Sequence, residues 1–115
     1  MNNLALAYLG DAVFELYVRE YLLTKGLVKV KDLQKNSIEY VSANAQAKIL
    51  DELSNNILTE EEIDIAKRGR NAHSHSSKTT DIITYKKATG LETLIGYLYI
   101  NDRNRLDIIM KEILK

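Results

Sequence analysis

The sequence predicts an all-α domain. Three observations carry this: 115 residues contain no proline and only five glycines, apolar residues recur at three- and four-residue spacing, and capping residues precede most of the periodic segments. Leu4 to Lys25 holds a dense run of Leu, Ala, Val, Phe and Tyr, closed by Gly26 where a left-handed cap is least strained. Leu27 to Val30 connects it to a shorter helix, Asp32 to about Val41, carrying Leu33, Ile38 and Tyr40. Ser42 reads as an N-cap for Ala43 to Leu53, whose apolar set is Ala43, Ala47, Ile49 and Leu50, and Ser54-Asn55-Asn56 reads as its breaker. Thr59 with Glu62 makes a capping-box pattern for a helix running to about Arg68. Gly69 to Thr80, rich in Ser, Thr, Asn and His, reads as an exposed loop. Thr80 or Asp81 opens a helix to about Ile100 that contains Gly90 and Gly96. A helical glycine costs about 1 kcal/mol relative to alanine, so each implies a packing reason, and close helix contact supplies one. Asp102 caps the last helix, Leu106 to Leu114, with Ile108, Ile109, Met110 and Ile113 as its apolar residues.

Composition narrows the chemistry. The absence of cysteine excludes disulfides, thiolate zinc sites and thiol nucleophiles. No apolar run approaches the roughly 20 residues of a membrane helix, and the start lacks the order of a secretory signal, so the expected setting is the cytoplasm with no membrane partner. With 16 basic and 16 acidic side chains, net charge gives no argument for a nucleic-acid partner; only charge placement can. One domain over 1–115 is expected from the length.

Two acidic residues stand in apolar surroundings. At about 100° per residue, Leu4, Asp11, Glu15, Val18 and Leu22 fall on one broad face of helix one, and Leu6, Leu9, Val13, Leu16 and Tyr17 cover the opposite side. A helix apolar nearly all round is buried by its own domain or by a second subunit, which makes Asp11 a costly carboxylate in need of a counter-charge. A ladder of Asp11, Glu15 and Arg19 and a metal or catalytic role both fit that spacing. Glu92 lies in the most apolar part of its helix, near Tyr85, Ala88, Thr89, Gly96 and Tyr99. It fits either a cleft or a partly exposed helix edge.

Charge placement is uneven as well. From Lys67 to Lys87 six basic residues, Lys67, Arg68, Arg70, Lys78, Lys86 and Lys87, face the single acid Asp81. With hydroxyls and amides from Asn71, Ser74, Ser76, Ser77, Thr79 and Thr80, this mixture suits phosphates more than base edges. His73 and His75 in such a loop read as solvated or phosphate-facing and not as metal ligands.

Leu4-Ala5-Leu6-Ala7-Tyr8-Leu9-Gly10-Asp11-Ala12-Val13-Phe14-Glu15 resembles the signature helix of ribonuclease III catalytic domains, particularly the short bacterial branch called Mini-ribonuclease III. Lys67-Arg68-Gly69-Arg70-Asn71-Ala72, then Thr80-Asp81 and Tyr85, then Glu92-Thr93-Leu94-Ile95-Gly96-Tyr97-Leu98-Tyr99 are similar to that branch in the same order. The resemblance implies a homodimeric, all-α ribonuclease III-like bundle without an appended double-stranded-RNA-binding domain, paired through the helix of Gly10 and Asp11. Each subunit would cut one strand of double-stranded RNA with Mg²⁺, or Mn²⁺ as a substitute, leaving a 5′-phosphate and a 3′-hydroxyl. Asp11 and Glu92 match the family's essential acids and would be both catalytic and metal-holding. Lys67, Arg68, Arg70, Asn71, Lys78, Thr79, Lys86 and Lys87 would contact RNA. The implied role is maturation of the large-subunit (23S) ribosomal RNA precursor, with a ribosomal protein as a possible helper.

The departures from the pattern are specific. Full-length ribonuclease III enzymes carry Glu where Ala7 stands and Asp where Thr89 stands, so the metal site should be thin, with weak binding until RNA arrives. His73 stands where the branch more often has Lys, and the chain begins almost inside helix one, which a short segment usually precedes. Loss of two acids favours a competing reading, a non-catalytic structured-RNA-binding protein on the same fold; retention of Asp11 and Glu92 favours the enzyme. A helical protein-interaction module would explain helix one and leave the basic stretch unexplained.

Overall fold

The computed structural model describes residues 1–72 and 81–115 and holds six helices among them: α1 (Asn3–Thr24), α2 (Val30–Val41), α3 (Ala43–Asn56), α4 (Glu60–Arg70), α5 (Ile82–Asn101) and α6 (Arg103–Ile113). Expected caps form: Ser42 Oγ accepts from Ala45 at 3.2 Å and Asp81 Oδ1 from Thr84 at 2.9 Å. Asn2 adds a cap that the sequence reading did not name, its Oδ1 accepting from the Ala5 amide at 2.8 Å. Thr59 and Glu62 close the reciprocal capping box at 2.9 and 3.2 Å, and Gly26 takes φ of +84°, the left-handed conformation its position after α1 requires.

Several boundaries differ from the sequence reading, each for a packing reason. The third helix continues through Ser54-Asn55-Asn56 because buried Leu53 anchors the turn, its carbonyl accepting from both Ile57 and Leu58. The fourth runs on to Arg70, so Gly69 and Arg70 belong to helix and not to a loop; Gly69 serves there as a contact point and not as a breaker. The second starts at Val30 and the last at Arg103, each a few residues earlier than the apolar pattern marks.

α5 is the axis of the bundle, with α1, α3, α4 and α6 packed around it. Phe14, Val18, Leu91, Leu94, Ile95, Leu106, Ile109 and Met110 form the most enclosed part of the core. Two of its helix contacts bring backbone against backbone. A methyl group at Gly10 would land on the backbone carbonyl of Glu92 and 2.9 Å from the Gly96 nitrogen, and one at Gly96 would strike the Leu6 carbonyl. On a neighbouring face of α5, a methyl at Gly90 would lie 2.7 Å from the Ala66 carbonyl and one at Gly69 would overlap the Thr93 side chain. These are the packing reasons that Gly90 and Gly96 demanded. Away from the axis, Arg105 of α6 reaches the start of α4, donating to Glu62 Oε2 at 2.8 Å, Glu62 Oε1 at 2.9 Å and the Ile57 carbonyl at 2.7 Å. Glu62 therefore caps α4 and ties it to α6 with the same carboxylate, a charge-assisted fork.

The faces of α1 need correction. Its buried stripe is Leu6, Ala7, Gly10, Val13, Phe14, Val18 and Leu22, so residues of both predicted faces share one buried side and the helix is not apolar all round. Leu4, Tyr8, Leu16 and Leu23 are exposed, and so is Asp11, which is not the buried carboxylate that the all-round apolar pattern implies. Among the described residues no helix is long and apolar enough to cross a membrane.

Gly10→Ala and Gly96→Ala should each destabilise the fold by about 3 kcal/mol or more, since added volume meets backbone that cannot rotate aside. Gly26→Ala, strained in φ but open in space, should cost about 1 kcal/mol. Urea unfolding of the three variants checks the order.

Candidate active site

The α1–α5 crossing determines where the acids lie. Because Gly10 presses on the backbone of Glu92, the residue after Gly10 and the side chain of Glu92 emerge at the same crevice. The Asp11 and Glu92 carboxyls come within hydrogen-bonding reach of each other there. Asp11 stands at the exposed rim and Glu92 is half-buried beneath it. Burial pushes the Glu92 carboxyl up to about 8, and the hydrogen bond to Asp11 and the repulsion of its charge push the same way. The Gln46 amide of α3 acts in the opposite sense, close enough to favour a charged Glu92. Even so, Gln46 Nε2 makes no hydrogen bond among the described residues, so the two groups are neighbours and not bonded partners. Two carboxyls so placed retain a proton between them at neutral pH, and a cation could take its place.

The flanking residues leave this pair alone. Ala7 is buried, and Thr89 is buried with its hydroxyl donating to the Tyr85 carbonyl at 3.1 Å. Thr93 Oγ1 is likewise turned onto its own helix, 2.8 Å from the Thr89 carbonyl. Among the described residues no group of three or more His, Cys, Asp or Glu side chains converges, so the site offers two carboxylates and no third. Glu15 and Arg19 do form an ion pair, at 3.0 Å, but Asp11 faces Glu92 instead of joining a ladder with them.

The basic residues separate into three groups. Lys67, Arg68 and Arg70 are exposed in the last turn of α4, where the helix dipole favours cations, and exposed Asn71 follows them. Since Gly69 lies against Thr93, the residue after Glu92, this basic turn sits at the level of the acid pair along α5. Lys86 is half-buried, and Lys87 is committed to Asp51 of α3 at 3.0 Å, whereas the α4 cations form no ion pair among the described residues. Lys78 and Thr79 lie outside the described residues, as do His73 and His75.

Gln46 is the site residue that the sequence reading passed over. Ala43, Gln46, Ala47 and Leu50 keep helical spacing, and a polar residue inside that stripe was the available signal.

The ribonuclease III domain model matches residues 4–103, which include both acids and the whole α1–α5 crossing. The chain belongs to the ribonuclease III family. Within it the similarity is to the short branch: the chain is 52% identical over 106 residues to a Mini-ribonuclease 3 of Acholeplasma laidlawii, covering 91% of this chain and 85% of that one. It is 45% identical over 118 residues to the Mini-ribonuclease 3 of Enterococcus faecalis, covering 100% and 89%. A crystal structure of a Fusobacterium nucleatum protein, 33% identical, superposes with a TM-score of 0.87 over 97% of this chain and 92% of that one. Ribonuclease III proteins are metal-dependent and act on double-stranded RNA, and this family member is an endoribonuclease.

A carboxyl raised by folding keeps a proton that the unfolded chain releases. Stability of the metal-free protein should therefore fall as pH rises from the ordinary Glu value of 4.5 through about 8, and level off beyond. The melting temperature should be lower at about pH 9 than at about pH 6, and Glu92→Gln should flatten that difference in thermal scans.

Proposed function

We propose that this endoribonuclease uses Mg²⁺, with Mn²⁺ as a substitute, to cut double-stranded RNA as a cytoplasmic homodimer that matures the 23S ribosomal RNA precursor. The meeting of Asp11 and Glu92 at the glycine crossing, level with the basic turn of α4, carries this reading. The donor set fits such an ion. Two oxygen ligands suit a small divalent cation that keeps several waters and takes further oxygens from substrate phosphate, and its charge offsets the burial and the Asp11 repulsion that hold the Glu92 carboxyl up. Mg²⁺, when bound, polarises the scissile phosphate and makes water a better nucleophile.

The chain's own residues do the rest. Asp11, at the rim, is accessible to the phosphodiester, and Glu92 supplies the second carboxylate from below. Lys67, Arg68, Arg70 and Asn71 grip the strand's phosphates, with Lys78 and Thr79 continuing the contact; Lys86 and Lys87 follow along α5. Such contacts read A-form shape more than sequence. Water attacks phosphorus and the 3′-oxygen leaves, which gives 5′-phosphate and 3′-hydroxyl ends. Pairing through α1 accounts for its outward apolar side, where Tyr8 is 86% exposed and Leu4, Leu16 and Leu23 accompany it. Asp11 lies on that exposed side, so the pairing places two acid sites on one assembly, one for each strand. A ribosomal protein could help by presenting the precursor in its duplex form.

Asp11→Asn and Glu92→Gln should each lower the cleavage rate of duplex RNA in Mg²⁺ by roughly 10²–10³-fold, the scale of losing one transition-state stabiliser, while RNA binding persists. Unchanged cleavage would overturn the assignment. Arg68→Ala should weaken RNA binding and reduce the slope of log affinity against log salt by about one, measured by filter binding. Light scattering should give a dimer at assay concentration, and a stable monomer would refute the paired cut.

A further inference from the structure

Gln46 is enclosed on the inner side of α3, 3% exposed, between the apolar neighbours Ala47 and Leu50 of the same stripe. Its Nε2 is the one buried side-chain nitrogen or oxygen among the described residues that lacks a hydrogen-bond partner. A buried amide left in that state costs about 1–3 kcal/mol, whereas Leu or Met would fill the same stripe without the penalty. Stability alone therefore gives no reason for glutamine here. So enclosed a side chain cannot reach a phosphodiester in the groove, and the chemical group beside it is the Glu92 carboxyl. A carboxylate has two oxygens. If one faces the cation shared with Asp11, the other is left for a donor on the inner side, where α3 packs against α5.

We propose that Gln46 is a positioning residue, its Nε2 donating to the inner oxygen of Glu92 and so holding that carboxylate turned toward a divalent cation. The proposal rests on the reading that Asp11 and Glu92 hold that cation. Outer partners of this kind fix the direction of a ligand, and their loss typically weakens metal affinity by 10- to 100-fold.

The test uses the full chain without RNA, with Mn²⁺ as probe, titrated by electron paramagnetic resonance, and with the melting temperature of the metal-free protein read in parallel. Gln46→Met keeps the bulk and removes the donor. Mn²⁺ affinity should fall about 10- to 100-fold while the melting temperature holds or rises. Gln46→Leu, of different shape, should show the same loss, and adding Gln46→Met to Glu92→Gln should bring no further drop in affinity. In cleavage assays kcat should fall with KM for RNA unchanged. Unaltered Mn²⁺ affinity with a lowered melting temperature would reduce Gln46 to packing and overturn the proposal, as would an affinity loss that persists in full on the Glu92→Gln background. Failure of the unsubstituted protein to bind Mn²⁺ would overturn the metal reading of Asp11 and Glu92, and this proposal with it.

Discussion

Two helices from opposite ends of the chain touch without side chains between them, and most of the molecule follows from that contact. With no Cβ at Gly10 or Gly96, α1 and α5 approach until backbone meets backbone, and the residues flanking the contact have no freedom to choose their neighbours. Asp11 and Glu92 are among them. An alanine-lined crossing would separate the helix axes and open the acid crevice to water, weakening both the desolvation of Glu92 and the influence of Asp11 on it. The electrostatics of the centre are in this sense a product of steric closeness.

The rest of the bundle supports that geometry from the other sides. Gly90 and Gly69 let α4 also lie close to α5, which brings the basic turn to the level of the acids, while Arg105 holds the far end of α4 through Glu62 and the Ile57 carbonyl. α3 contributes an amide instead of a charge. The result is asymmetric: carboxyls in a crevice and cations on an adjacent helix end.

Much of this was legible in the chain. Thr59 with Glu62, Ser42, Asp81 and Gly26 announce helix ends because caps are local chemistry, satisfied within a few residues. Gly90 and Gly96 signalled close packing because a helical glycine has a known cost. What sequence could not supply was partnership. Spacing left Asp11 open to a ladder with Glu15 and Arg19 or to a metal or catalytic role on an apolar helix, whereas it stands exposed against Glu92, a neighbour that only the tertiary crossing provides. Lys87 looked like one more cation in a basic run until Asp51 came alongside, and Gln46 looked incidental until its amide proved enclosed and unpartnered. Gly69 misled for the same reason: its use is a contact with Thr93, invisible to local pattern.

The separation of the two acids along the chain also bears on biosynthesis. During translation α1 leaves the ribosome well before α5, so an unfinished polypeptide carries Asp11 without its counterpart. Asp11 on an isolated helix has neither the crevice nor the opposing carboxyl. The acid pair is therefore a late product of synthesis, assembled only when α5 folds back onto α1.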